Sequence, residues 1–149
     1  MLYNVKEIFI ENITYKLYNG VQMNSEKVDG FNHIYSVLGF WEKLRKLYGK
    51  SSSDYKHDLI KLRAQLLVLD SALDIYKYPS FERLSGTDLS AIRMIDKHNL
   101  RIIFKVEKDN KCLLIAFFEK NKSDYQKALA TALERAKESE DETSAQESN

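Results

Sequence analysis

The sequence predicts an α+β domain, in which an antiparallel sheet of three to five strands packs on an α-helical hairpin and is followed by a C-terminal helix. Three short apolar runs separated by polar breaks predict the sheet. A long stretch of apolar residues at three-four spacing precedes them, and a shorter one follows. At 149 residues and 44% hydrophobic content, the chain is long enough to bury the core of one domain, which we place at residues 1–137.

In the N-terminal half, the spacing of the apolar residues changes near residue 25. Residues 2–18 alternate partly between apolar and polar side chains, which predicts one strand or two, followed by a turn at Asn19-Gly20. From there the three-four spacing predicts a helical hairpin over residues 25–78, ended by Pro79. The apolar stripe of its first helix is Val28, Phe31, Ile34, Tyr35, Leu38, Trp41, Leu44 and Tyr48. The stripe of its second helix is Tyr55, Leu59, Leu62, Leu66, Leu69, Leu73 and Tyr76.

Residues 89–120 are predicted to form an antiparallel meander of three strands. The apolar runs are Ala91–Ile95, Leu100–Val106 and Cys112–Phe118, with Asp- and Asn-containing turns between them. Because side chains alternate along a strand, Arg101, Ile103 and Lys105 should share one face. The opposite face is then apolar and is the expected partner of the helical hairpin.

The chain is expected to close with a helix over residues 123–137 and an acidic tail over residues 138–149. The tail carries five acidic residues and no basic one, so the preceding 137 residues carry a net charge of +6 although the whole chain carries +1. This composition predicts a disordered tail. It serves either as a solubilising end or as a mimic of nucleic acid that folds back on the basic body.

Several classes of function are excluded by the sequence. No apolar run approaches 18 residues and no signal-peptide layout opens the chain, which predicts a cytoplasmic protein without a membrane span. Cys112 is the only cysteine, so an internal disulfide and a cysteine-based zinc site are excluded. No phosphate-binding glycine loop or known hydrolase motif is present, and we expect no cofactor and no metal.

A set of cations with one phenol remains as the candidate chemistry. These residues are Arg83, Arg93, Arg101, Lys120, Lys122 and Tyr125. Cleavage of RNA through its 2′-hydroxyl needs a base, an acid and positive charge for the developing phosphorane, and Lys, Arg and Tyr can share these tasks without a metal. The same set would also make a plain RNA-binding patch. His98, in the first turn of the meander, suits either a turn role or an exposed acid–base role.

The segment from residue 55 to residue 137 resembles the RelE/HigB/ParE superfamily of bacterial toxins. The residues that carry the resemblance are Leu84, Gly86, Leu89, Arg93, Leu100, Arg101, Leu113, Ala116, Phe117, Lys120, Ala132 and Arg135. Members of the HigB-like and phage-related branch fit best. The chain departs from their pattern at Ala91, where glutamate is frequent, and at Glu119, where they carry the first lysine of a pair.

The resemblance implies a RelE-like fold and a ribosome-dependent mRNA endonuclease, neutralised by a cognate antitoxin. Under it, Arg93 and Arg101 contact phosphate and stabilise the transition state, and Lys120 binds phosphate or takes part in acid–base catalysis. Tyr125 has no counterpart in the motif; its catalytic assignment rests on its place near Lys120. The candidate RNA contacts outside this set are Arg83, Lys105, Lys122 and His98.

Two other classes of function stay open from the sequence. A ParE-like toxin would bind DNA gyrase with the same fold and need no catalytic residues, which suits Glu119. A non-catalytic, phage-derived binding protein would suit the near-neutral charge of the chain. The expected assembly is a homodimer or a toxin–antitoxin hetero-oligomer.

Overall fold

The computed structural model describes residues 25–147, with side chains up to Glu138. The predicted strands within residues 2–18 and the turn at Asn19-Gly20 lie outside these residues. The strands are β1 Ser25–Lys27, β2 Ile34–Val37, β3 Phe81–Arg83, β4 Leu89–Met94, β5 Leu100–Glu107 and β6 Asn110–Phe118. The helices are α1 Phe40–Leu47, α2 Ser52–Ser71 and α3 Lys122–Glu147, with a 3₁₀ turn at Ile75–Lys77.

The α+β class is confirmed, but the predicted antiparallel sheet of three to five strands is wrong in number and direction. The sheet has six strands in the order β1-β2-β6-β5-β4-β3. Strand β2 runs parallel to β6, so the sheet is mixed. Ile34 lies beside Lys111, and no local pattern encodes a pairing between residues so far apart in the chain.

The meander forms as predicted from β4, β5 and β6, all antiparallel. The ladder between β4 and β5 places Ser90, Ile92 and Met94 opposite Phe104, Ile102 and Leu100. These six side chains share one face of the sheet, and all six are buried. The other face carries Arg93 and Arg101, and the alternation along the middle strand predicts this face for Arg101.

The predicted helical hairpin over residues 25–78 is too long at both ends. Residues 25–37 form the antiparallel pair β1–β2, and α1 begins only at Phe40. Gly30 and Gly39 adopt φ angles of 89° and 81°, in the left-handed region that interrupts a right-handed helix. At the other end α2 stops at Ser71, and the Asp74 carboxylate accepts the Tyr76 N–H to cap a separate 3₁₀ turn.

Helices lie on both faces of the sheet. The ring of Tyr48, at the end of α1, packs edge-on against Phe118 on the apolar face, with 4.9 Å between centroids. Leu62, Leu66 and Leu69 of α2 are buried in the same core. Helix α3 covers the opposite face, where Ala128, Ala132 and Ala136 are buried. None of the helices within residues 25–147 has the length and apolar character that crossing a bilayer requires.

Helix α3 is longer than predicted, because it continues to Glu147 through most of the segment that we expected to be a disordered tail. Residues 138–147 are four glutamates, two serines and one each of Asp, Thr, Ala and Gln. Glutamate, alanine and glutamine have favourable helix propensities, so a helix already nucleated on the sheet can propagate outward without further packing.

Arg135 of α3 stabilises a β-bulge in the sheet. Leu114 is the extra residue of a β-bulge in β6, and its carbonyl accepts a hydrogen bond from Arg135 Nη1 at 2.5 Å.

We expect Arg135→Met to lower the free energy of unfolding by about 1–2 kcal/mol, because a buried carbonyl then loses its donor. Urea denaturation measures this. Lys137→Met, an exposed change two residues along the helix, is the control, and an equal loss in both variants would contradict the role.

Candidate functional site

One pocket brings together all four residues that the sequence predicts as catalytic. Arg93 and Arg101 come from β4 and β5, while Lys120 and Tyr125 come from the link after β6 and the first turn of α3. Lys122 also lines the pocket, whose volume is about 440 Å³. Residues that are far apart in the sequence therefore share one concave surface, which we call the arginine pocket.

The two arginines are direct neighbours across the β4–β5 ladder and project from the same face. Like charges in this arrangement repel each other unless an acid lies between them. Glu82 supplies that acid, since it pairs with Ala91 in the β3–β4 ladder and so faces the same side. Its Oε1 atom lies 2.8 Å from Arg101 Nη2 and 3.8 Å from Arg93 Nε.

Arg101 is held from a second side by Glu119. The Glu119 Oε1 atom lies 2.8 Å from Arg101 Nε, and the Glu119 backbone N–H donates to the Asn99 carbonyl at 3.1 Å. The Arg101 side chain is only 14% exposed, whereas that of Arg93 is 41% exposed. Arg101 is therefore fixed between two carboxylates, and Arg93 is the guanidinium group that a solute reaches first.

The start of α3 shapes the other wall of the pocket. The Asp124 carboxylate accepts the backbone N–H groups of Lys120 and Asn121 at 3.0 and 3.1 Å. Asn121 in turn accepts the Asp124 N–H through its side-chain oxygen at 3.2 Å. The helix thus starts one residue earlier than predicted, and its reciprocal hydrogen bonds hold the turn that carries Lys120. The Tyr125 ring lies 5.9 Å from the Arg101 guanidinium carbon.

Three of the residues predicted to contact RNA lie outside the arginine pocket. Arg83 stacks on the Tyr76 ring at 3.9 Å and lines a different cavity. Lys105 is 6% exposed, with its ammonium 3.6 Å from the Glu107 carboxylate. His98 stacks on Phe118 and lies within 3.0 Å of the Asp54 carboxylate.

Glu82, the carboxylate that pairs with both arginines of the pocket, is the residue that sequence reasoning missed. Strand β3 is only three residues long, too short to produce an alternation that stands out from a loop. The only signal in the sequence is chemical, since clustered arginines require an acid nearby. Glu119 stands out in the sequence as a departure from the family pattern, but its pairing with Arg101 depends on the tertiary structure.

A second cluster of titratable groups joins α1 and α2 to the β4–β5 turn. The Tyr48 hydroxyl donates to the Asp58 carboxylate at 2.7 Å, and Asp58 is also hydrogen-bonded to Asp96. Burial, followed by hydrogen bonding to Asp96, raises the pKa of Asp58 above its usual range. Burial likewise raises the pKa of the Tyr48 hydroxyl. Hydrogen bonds from Lys61, the His98 backbone and Asp58 outweigh burial and lower the pKa of Asp96.

The arginine pocket has the chemistry of an anion site. The four cationic side chains of the pocket, together with the two carboxylates that pair with its arginines, carry a net charge of +2. Among the described side chains, no group of three or more His, Cys, Asp or Glu residues is arranged to hold a metal ion. Neither protein-family models nor curated protein sequences give a match to this chain.

Proposed function

We propose that this protein is an RNA-cleaving toxin similar to the RelE/HigB/ParE superfamily and that it acts at the arginine pocket. The observation that supports the proposal is the convergence of Arg93, Arg101, Lys120 and Tyr125 on one surface. The sequence predicts the same four residues as the catalytic set. The pocket is open to solvent and positively charged, as a site for a phosphodiester must be.

Each side chain has a place in cleavage through the 2′-hydroxyl. Arg93, the more exposed guanidinium, binds the scissile phosphate, and Arg101 stabilises the charge that develops on the phosphorane. Lys120 and Tyr125 are the groups that can exchange protons with the attacking and leaving oxygens. Lys122 lies at the same pocket and can contact a neighbouring phosphate. No step of this scheme requires a metal.

The partners follow from the proposed activity. The substrate is mRNA on the ribosome, where the ribosome presents the message in the geometry that a small pocket can use. A cognate antitoxin would neutralise the protein in the cytoplasm.

A non-catalytic binding protein is the second candidate. The observation that favours it is the engagement of Arg101 by two carboxylates at 2.8 Å each, which halves the net charge of the pocket. Such a protein, including one that binds gyrase as ParE does, would use the same fold without cleaving RNA.

Loss of Arg93 and Lys120 is expected to abolish the activity. The Arg93→Ala/Lys120→Ala variant removes two pocket cations and leaves Arg101 with both of its carboxylate partners, so the fold should persist. We expect cleavage to fall by at least about 10²-fold, the usual cost of losing a charge-stabilising donor. Inducible bacterial expression, followed by growth and by primer extension on a translated and an untranslated transcript, measures it.

Lys43→Ala/Lys137→Ala is the matched control, since it removes two exposed cations from outside the pocket. Growth arrest with cuts only in the translated message, retained in the control and lost in the pocket variant, supports the nuclease. Arrest without RNA cuts favours a bound target such as gyrase. Normal growth with folded wild-type protein present would overturn the toxin proposal in that host.

A further inference from the structure

One carboxylate oxygen beside the arginine pocket contacts both of its guanidinium groups. Glu82 Oε1 lies within ion-pairing distance of both Arg101 and Arg93, at 2.8 and 3.8 Å. A phosphate oxygen that contacts Arg101 Nη2 and Arg93 Nε together can occupy nearly the same point. The Glu82 carboxylate therefore stands where an anionic ligand can reach both arginines.

Of the two acids that pair with the arginines, Glu82 can leave more readily. It belongs to β3, a three-residue strand at the edge of the sheet, and its side chain is 34% exposed. Exposed ion pairs are weak because water and salt compete with them. Its longer contact, to Arg93, is weaker still.

Glu119 holds Arg101 in place independently of Glu82. It contacts the Nε atom, whereas Glu82 contacts Nη2. Its backbone is tied to the neighbouring turn through the Asn99 carbonyl. When Glu82 withdraws, Arg101 keeps one carboxylate partner and its orientation, and the Nη2 group becomes available to a ligand.

We propose that Glu82 is an internal competitor for phosphate that sets the affinity of the arginine pocket. In the free protein its carboxylate bridges Arg93 and Arg101; when a phosphodiester binds, the carboxylate withdraws to solvent and the phosphate takes its place. This inference rests on the proposed function only in taking RNA as the source of the phosphate. It adds a residue that no motif of the sequence singles out.

Two substitutions separate the contact from the charge. Glu82→Gln keeps the shape and removes the charge, while Glu82→Asp keeps the charge but shortens the reach to the two arginines. Both should bind inorganic phosphate about five- to tenfold more tightly than the wild type, because each weakens the competing contact. Glu134→Gln removes the same charge from an exposed position of α3 outside the pocket and should leave affinity unchanged.

The experiment is a phosphate titration of the full chain, followed through the Nε–Hε NMR signals of arginine. A parallel titration uses an eight-nucleotide 2′-O-methyl RNA, which cannot be cleaved through its 2′-hydroxyl, over a series of salt concentrations. For Glu82→Gln, the slope of log affinity against log salt should steepen by about 0.7, the value for one further phosphate contact on a single strand.

Tighter phosphate binding in both Glu82 variants, with Glu134→Gln equal to the wild type, supports the competitor. Equal affinity in all four proteins, or no phosphate binding by any of them, overturns it. An equal gain in Glu134→Gln also overturns it, since overall charge would then explain the effect. Tight phosphate binding without any cleavage of translated message would instead overturn the nuclease function and leave the role of Glu82 intact.

Discussion

Replacing Arg101 with methionine is expected to lower the free energy of unfolding by about 2 kcal/mol. The guanidinium group lies between Glu82 and Glu119, with a distance of 2.8 Å to each. Without it, Glu119 loses its ion pair and Glu82 keeps only the 3.8 Å contact to Arg93. Breaking a fully buried ion pair costs about 3–5 kcal/mol, and we expect less here because both glutamates are about one-third exposed.

A charge-balanced variant tests whether unpaired charge is the reason that Arg101→Met loses stability. Adding Glu82→Gln and Glu119→Gln to Arg101→Met removes the two unpaired charges and should recover most of the lost stability. Urea denaturation of the wild type, Arg101→Met, Glu82→Gln/Glu119→Gln and the triple variant gives the coupling free energy between the arginine and the two carboxylates. If the balanced variant is as unstable as Arg101→Met alone, the loss comes from packing of the arginine stem and not from its charge.

Asp58→Asn is expected to stabilise the protein at neutral pH by on the order of 1 kcal/mol. Asp58 is 3% exposed, and the cost of burying its charge raises its pKa. Asparagine has nearly the same shape, and its side-chain oxygen can still accept from the Tyr48 hydroxyl. Its amide can donate to Asp96, as a protonated Asp58 would. The substitution therefore removes a buried charge and keeps both hydrogen bonds.

The sign of the pH dependence follows from the raised pKa. The folded protein binds the Asp58 proton more tightly than the unfolded chain, in which the pKa is about 3.9. Stability contributed by this group is thus present below about pH 3.9 and is lost as the pH rises through the folded-state pKa. The advantage of Asp58→Asn should be largest at pH 7 and should vanish near pH 3.5.

Asp54→Asn provides a control of opposite sign. Hydrogen bonds from His98 and Lys97 lower the pKa of Asp54, so its contribution to stability is present above about pH 3.9 and is lost at lower pH. We expect Asp54→Asn to destabilise at pH 7. Thermal unfolding of both variants between pH 3.5 and pH 7 measures the two effects. A loss of stability at pH 7 in Asp58→Asn would show that the buried carboxylate is favourable.

Local patterns predicted the central meander, whereas the resemblance and the residue chemistry together predicted Arg93, Arg101, Lys120 and Tyr125 as the candidate site. The meander follows from short apolar runs between polar turns, and the shared face of Arg101 and Lys105 follows from the period of a strand. The same alternation could not reveal that Lys105 is buried while Arg101 reaches a pocket. The difference depends on what covers each position.

The segment from residue 25 to residue 39 shows where the sequence reasoning failed. Its apolar residues recur at three-four spacing, yet they form the β1–β2 pair, because two glycines adopt left-handed conformations and β6 offers an unpaired edge. Periodicity records which side chains are apolar, but it does not record which partner is available.

The sequence by itself determined the α+β class, the meander and the candidate cations, because side-chain spacing and turn residues are local properties. Only the tertiary structure decided the six-stranded mixed sheet, the placement of Glu82 beside Arg93 and Arg101, and the burial of Asp58. These features depend on residues that are distant in the chain. Burial and charge pairing are set by such neighbours, and the charges of the pocket follow from them.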